Sequence, residues 1–218
     1  MKSQLGGNPL ARLFGPESGA ALRNGQHWLY LLAALLFVAA VRITMYVWAH
    51  ESVSFTTDFD LLYYSAKTLT HGINPYRSSP PQIRYPLFYP LPAVLLAIPF
   101  TALPIQFARP AFDIAVGWIF AYGLWRYAPY ALLAILSGAY LFALRAGQTT
   151  PLVVAGALVP TLGFLLTIKS NTGLACFIGR PSREALIGGV GVLLVSLVLV
   201  PSWPADWWRA IHQQSEHI

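Results

Sequence analysis

A single cysteine, Cys176, rules out an internal disulfide and any metal site built from cysteines. Charge is nearly as scarce. Asp, Glu, Lys and Arg make up 10% of the residues, against roughly 25% in an ordinary soluble domain. The 14 basic residues outnumber the 8 acidic ones, for a net charge of +6, yet they stand singly between apolar stretches. Cations scattered in that way anchor and snorkel at a bilayer surface, so no nucleic-acid partner is expected. The chain has no internal repeat, Gly-rich phosphate loop, His-x-x-x-His spacing or serine nucleophile elbow. Neither a cofactor nor a metal is expected.

What fills the chain is hydrocarbon, with 56% of residues hydrophobic. Apolar runs recur at residues 28–48, 87–105, 111–125, 128–144, 151–168 and 185–201, each near the roughly 17 to 25 residues a helix needs to cross a bilayer. The expected fold is all-α, a polytopic transmembrane helical bundle of about six spans. Residues 1–26 carry Lys2, Arg12 and Arg23 among small and polar residues and read as a cytoplasmic tail. No small-residue cleavage pattern follows the first run, so it reads as a retained anchor. Residues 27–210 then form the membrane domain and 211–218 a C-terminal tail. Arg42 lies near enough to the end of the first run to snorkel, and Arg109-Pro110 opens the third run on the cytoplasmic side.

Residues 49–85 form the longest stretch unlike hydrocarbon and read as an outer loop. Within it Phe59, Leu62, Tyr63, Ala66 and Leu69 recur at spacings of three and four, with Asp60, Tyr64, Lys67 and His71 opposite. That pattern predicts an amphipathic helix on the membrane surface, capped by Thr57 or Asp58 and ended by Gly72. The prolines of Asn74-Pro75-Tyr76, Ser78-Ser79-Pro80-Pro81 and Tyr85-Pro86-Leu87-Phe88-Tyr89-Pro90 exclude helix interior after it. Further on, Pro160, Gly163 and Lys169-Ser170-Asn171-Thr172-Gly173 interrupt an apolar run, which predicts a re-entrant or discontinuous helix broken at Lys169. Trp203, Trp207 and Trp208 close the chain at headgroup level.

Few carboxylates are placed for chemistry. Glu17 and Glu216 sit in the tails, Glu184 and Asp113 at helix starts, Glu51 at the end of the first run and Asp206 beside Arg209. Asp58 and Asp60 remain, although the first also reads as a helix cap and the second as a solvating residue. His71 and His50 are loop histidines, a residue type that can serve as acid or base near neutral pH. Lys169, flanked by Leu165-Leu166-Thr167-Ile168 and Gly173-Leu174-Ala175, is a cation in an apolar zone, where it either binds a phosphate or carboxylate or snorkels to the interface.

The pattern Asp58-Phe59-x-Leu-x-Tyr63-Tyr64-x-Ala66, then Gly72-x-Asn74-Pro75-Tyr76, then Tyr85-Pro86 and the run ending Leu103-Pro104, resembles the N-terminal half of glycosyltransferase family 87 (the DUF2029 group). These are bacterial polyprenyl-phosphate-dependent mannosyltransferases of the membrane GT-C fold. Gly147-Gln148 and Lys169 resemble further landmarks of that family. The resemblance implies a multi-pass protein of the bacterial inner membrane with its active face outward. Its implied reaction moves a sugar, mannose first, from a polyprenyl-phosphate donor to a lipid or glycan acceptor with inversion. It also implies that Asp58 is the general base, with Asp60 the nearby second choice. Lys169, Arg77 or Arg84 would neutralise the departing phosphate, and Tyr63, Tyr64 and Tyr76 would face the sugar, with Lys67, His71, Asn74 and Gln148 completing the site. Two other classes stay open. A transporter or flippase-like carrier would use the break at Lys169, and a non-catalytic membrane subunit would suit the short chain.

Overall fold

The computed structural model describes residues 57–78, 83, 86–127 and 129–215. The expected first span, the N-terminal tail, His50 and Arg84 lie outside the described residues. Among the described residues every regular element is helical: α1 (Asp58–Thr70), α2 (Leu91–Ala97), α3 (Ile105–Tyr127), α4 (Gly138–Arg145), α5 (Thr150–Leu158), α6 (Ser170–Gly179), α7 (Arg183–Leu199) and α8 (Trp203–Ser215). Stretches of 3-10 helix at Ile98–Ala102, Pro129–Leu136 and Pro160–Ile168 link them.

The expected runs 87–105, 128–144 and 151–168 are each broken rather than being one helix. Proline stands at the breaks in the first and third, whereas the second breaks at Ser137. Pro90 and Pro92 stand at the start of α2, Pro99 opens the first 3-10 stretch, Pro129 the second and Pro160 the third, and each lacks the N–H that continues a helix. Ser137 restarts the chain as α4, its hydroxyl accepting from the Tyr140 N–H at 3.2 Å. The chain breaks again at Lys169, whose backbone leaves the helical region at φ −140° and ψ 85°. Among the described residues no single helix is long and apolar enough to cross a membrane. α7 with Trp203–His212 passes that test only jointly, and the two are bent by 92°.

α1 differs most from its expectation. Its start is a capping box, in which Thr57 Oγ1 accepts from the Asp60 N–H at 3.3 Å and the Asp60 carboxylate accepts from the Thr57 N–H at 2.7 Å. The first turn of its polar face, however, does not lie in the open. Asp60 is 1% exposed and is buried with Phe59, Leu61, Leu62, Tyr63, Ser65 and Ala66, leaving Lys67, Thr70 and His71 at the surface. α1 is a core element because the Phe59 ring stacks on Phe112 at 4.2 Å and both rings meet Phe100 edge-on.

The bundle has two ends. α3 leads away from α1 and is roughly 34 Å long at 1.5 Å per residue. Residues 129–145 come back, so that Ala146 meets Asp58. α5 and Pro160–Ile168 repeat that course, since Lys169 returns to Thr150. α6 leads away once more, to Arg180, which donates to the Leu158 carbonyl at 3.3 Å and lies 5.6 Å from the Tyr127 ring centre. α7 brings the chain back, and α8 lies across the end that holds Asp58, its Trp207 N–H donating to the Phe88 carbonyl at 2.8 Å.

This course revises one expected placement. Arg109 was expected across a span from Asp60, yet Arg109 Nε lies 2.7 Å from Asp60 Oδ1. The twelve residues Leu91–Ala102 are too short to separate them, and the Tyr63 hydroxyl donates to the Leu103 carbonyl at 2.7 Å to hold the turn back.

Candidate functional site

Asp58 is half-buried at the start of α1. Its backbone N–H donates to the Ala146 carbonyl at 2.9 Å, which seats the loop after α4 on this helix end. Gly147 makes the seating possible. Its φ is +62°, and a Cβ there would meet the Cβ atoms of Phe59 and Thr57 at 3.1 Å, a conformation and a space that suit glycine. The same loop supplies Gln148 and Thr150. Lys169 Nζ donates to Thr150 Oγ1 at 3.0 Å, and that hydroxyl lies 3.4 Å from Gln148 Oε1. Asp58, Gln148 and Lys169, far apart in the chain, thus lie on neighbouring turns at one end of the bundle.

The two aspartates have different surroundings. Asp60 is saturated: Arg109 Nε donates to Oδ1 at 2.7 Å, Arg109 Nη2 to Oδ2 at 2.9 Å, and the Thr57 N–H to Oδ2. Asp58 has no cation within 4.0 Å among the described residues. Its partner is the Tyr89 hydroxyl, which donates to Oδ2 at 2.8 Å. Tyr89 precedes α2. Burial first, then the Asp58 charge and hydrogen bond, push its hydroxyl far above the ordinary tyrosine range, so it stays a donor at neutral pH.

The other expected site residues divide by position. Tyr63 serves the core through its buried ring and its bond to Leu103. Tyr64 is half-buried against Tyr63, its hydroxyl pushed up by burial and then by Asp60. Lys67 and His71 lie exposed at the far end of α1, where His71 Nδ1 bonds the Lys67 carbonyl at 2.6 Å. Lys67 is nine residues from Asp58, about 14 Å along the helix. Tyr76 donates to the Tyr89 carbonyl at 2.8 Å and supports the segment that carries the Asp58 donor.

Asn74 and Arg77 gather on Asp206. Asn74 Nδ2 donates to Asp206 Oδ2 at 2.8 Å, Ser202 Oγ at 2.7 Å and Arg77 Nε at 3.2 Å, while Arg209 Nη2 reaches Oδ1. Burial pushes the Asp206 carboxyl up, but the Ser202, Asn74 and Arg77 hydrogen bonds and the Arg77 charge together hold it below the usual range. This cluster ties α8 to the turn after α1.

Sequence reasoning missed Tyr89, Thr150 and Arg109 as site residues and set Asp206 aside. Tyr89 stood in a proline-rich stretch and Arg109 at a helix start, and neither spacing nor periodicity connects them to Asp58 or Asp60.

An apolar groove of about 390 Å³ opens beside this end, lined among others by Pro90, Leu166, Thr167, Ser170, Trp203 and Trp207. Its size falls within the usual range of ligand pockets. Pro90 follows Tyr89, and Thr167 and Ser170 flank the Lys169 break, so the groove borders both polar parts of the site. Among the described residues no three His, Cys, Asp or Glu side chains are grouped to hold a metal. Neither protein-family models nor curated proteins nor solved structures match this chain significantly.

Proposed function

We propose that this chain is a polytopic membrane glycosyltransferase of the GT-C type, multi-pass in a bacterial inner membrane. It transfers a sugar, mannose first, from a polyprenyl-phosphate donor to a lipid or glycan acceptor at the outer face. One juxtaposition supports the reading: Asp58, with no cation partner among the described residues, Lys169, with no carboxylate partner among them, and an apolar groove lie at one end of the bundle. A polyprenyl phosphate needs each of them, with a base for the acceptor, a positive charge for the phosphate and a dry slot for the isoprenoid.

In this mechanism the acceptor hydroxyl oxygen attacks the sugar's anomeric carbon and its proton passes to the Asp58 carboxylate. The bond from that carbon to the phosphate oxygen breaks, its electron pair leaves with polyprenyl phosphate, and the configuration inverts. The Tyr89 hydroxyl holds Asp58 in place, leaving Oδ1 for the acceptor. Lys169 neutralises charge on the departing phosphate, aided by Thr150 and Gln148. A positioned base is worth about 10² to 10⁴ in rate. Asp60 takes a structural role, because its oxygens are engaged by Arg109 and the cap.

The break at Lys169 also favours a second reading, a carrier that binds its solute there. Transfer from polyprenyl-phosphate-mannose in reconstituted membranes separates the two. The transferase reading expects Asp58→Ala to lose transfer by about 10² or more with normal donor binding. Unchanged transfer in Asp58→Ala would sink the base assignment. Solute uptake abolished by Lys169→Ala but indifferent to Asp58→Ala would favour the carrier.

A further inference from the structure

The elbow between α7 and α8 carries a feature that sugar transfer does not use. α7 shows apolar side chains outward, Ile187 73% and Val198 81% exposed, and α8 turns from it by 92°. If α7 stands in hydrocarbon, a helix at a right angle to it lies along the membrane surface. α8 is built for that place. Trp203, Asp206 and Ala210 are buried against the protein, while Trp208, Arg209 and His212 lie on the open side, Trp208 58% exposed with its ring 4.5 Å from His212.

Charge marks the same place. Arg77 and Arg209 both bind the one buried carboxylate of Asp206, with side chains 62% and 64% exposed. Two cations on one anion leave a net positive charge. Arg77 Nη1 and Arg209 Nη1 donate none of the hydrogen bonds that hold the cluster. Asp206 therefore fixes two guanidiniums side by side without neutralising both, beside an exposed tryptophan. Lys67, exposed near the end of α1, adds positive charge on the element that leads into the Asn74–Arg77 turn.

We infer that this face, formed by Arg77, Trp208 and Arg209, is a contact for the anionic headgroups of membrane phospholipids and sets the depth at which the Asp58 end sits. The occupant is the bilayer surface itself. Charge complementarity argues for anionic lipid, and the amphipathic indole beside the arginines argues for the headgroup level. The inference rests on the membrane reading and not on the transferase chemistry.

The test uses the full chain reconstituted in vesicles of phosphatidylcholine with or without phosphatidylglycerol, one of them brominated near the top of its acyl chains. Quenching of Trp208 is read as the difference between the wild type and Trp208→Phe. Brominated phosphatidylglycerol is expected to quench Trp208 more than brominated phosphatidylcholine at equal content. Arg77→Gln with Arg209→Gln should reduce that preference by about fivefold per arginine. Because the double variant disturbs Asp206, Trp208→Glu provides a second route. It leaves the cluster intact, puts an anion on the same face, and should lower the protein's enrichment of phosphatidylglycerol in co-purified lipid. Equal quenching by both lipids, or undiminished enrichment in Trp208→Glu, would overturn the inference. Loss of sugar transfer with the lipid preference retained would count against the transferase and leave this contact standing.

Discussion

Arg109 grips Asp60 through two nitrogens, Nε to Oδ1 at 2.7 Å and Nη2 to Oδ2 at 2.9 Å, across 49 residues of chain. The pair joins the capped start of α1 to the first turns of α3 and brings the Phe59 ring onto Phe112. It also separates two aspartates that stand two residues apart. Asp60 is held by arginine, whereas Asp58 meets the Tyr89 hydroxyl and, among the described residues, no cation within 4.0 Å.

Asp60 is buried while its Arg109 partner is partly exposed, so losing the carboxylate removes charge-assisted hydrogen bonds without stranding a buried cation. Asp60→Asn is expected to lower stability by about 2 kcal/mol and Asp58→Asn by much less, with denaturant midpoints as the measurement. Equal losses in the two variants would contradict the division of labour.

Tyr89→Phe deletes a donor and keeps the ring. Sugar transfer is expected to fall by about tenfold, the worth of one hydrogen bond to a charged group, with the thermal midpoint nearly unchanged. A variant as active as the wild type would show that the Tyr89 hydroxyl does not position Asp58.

Gly147→Ala puts a Cβ at φ +62° and against Thr57 and Phe59. The left-handed conformation alone costs about 1–2 kcal/mol in a residue with a side chain. The expected result is a loss of at least that size in denaturant unfolding, with transfer at low temperature reduced because the loop carries Gln148.

The Asp206 carboxyl is held below its usual range in the folded protein. The unfolded chain therefore takes up this proton first as pH falls. Stability from the group is complete above about pH 4, its ordinary range, and is lost as pH drops through the folded value. Tryptophan emission should report α8 loosening in acid, since Trp207 is bonded to Phe88. Asp206→Asn should be less stable at neutral pH and lack this acid limb.

Much of the local structure was legible in the sequence. Thr57 and Gly72 bound α1 as their side-chain and backbone chemistry requires, and the chain breaks at Pro160 and Lys169. Helix periodicity misjudged Asp60, because an acidic residue opposite an apolar stripe reads as solvated until its arginine is known. The run at 87–105 reads as continuous because hydropathy averages over prolines, whereas a missing N–H ends a helix at one residue, and the run at 128–144 reads so because one capping serine hardly changes its mean hydropathy.

By itself the sequence determined an all-helical chain, its caps and its breaks, because these depend on residues within a few positions of one another. Only the tertiary structure decided which of Asp58 and Asp60 pairs with Arg109, that Tyr89 and Lys169 come to the Asp58 end, and that Arg77 joins Arg209 on Asp206. Those outcomes rest on contacts across 19 to 129 residues, and they form only when the packed helices fix which side chains meet.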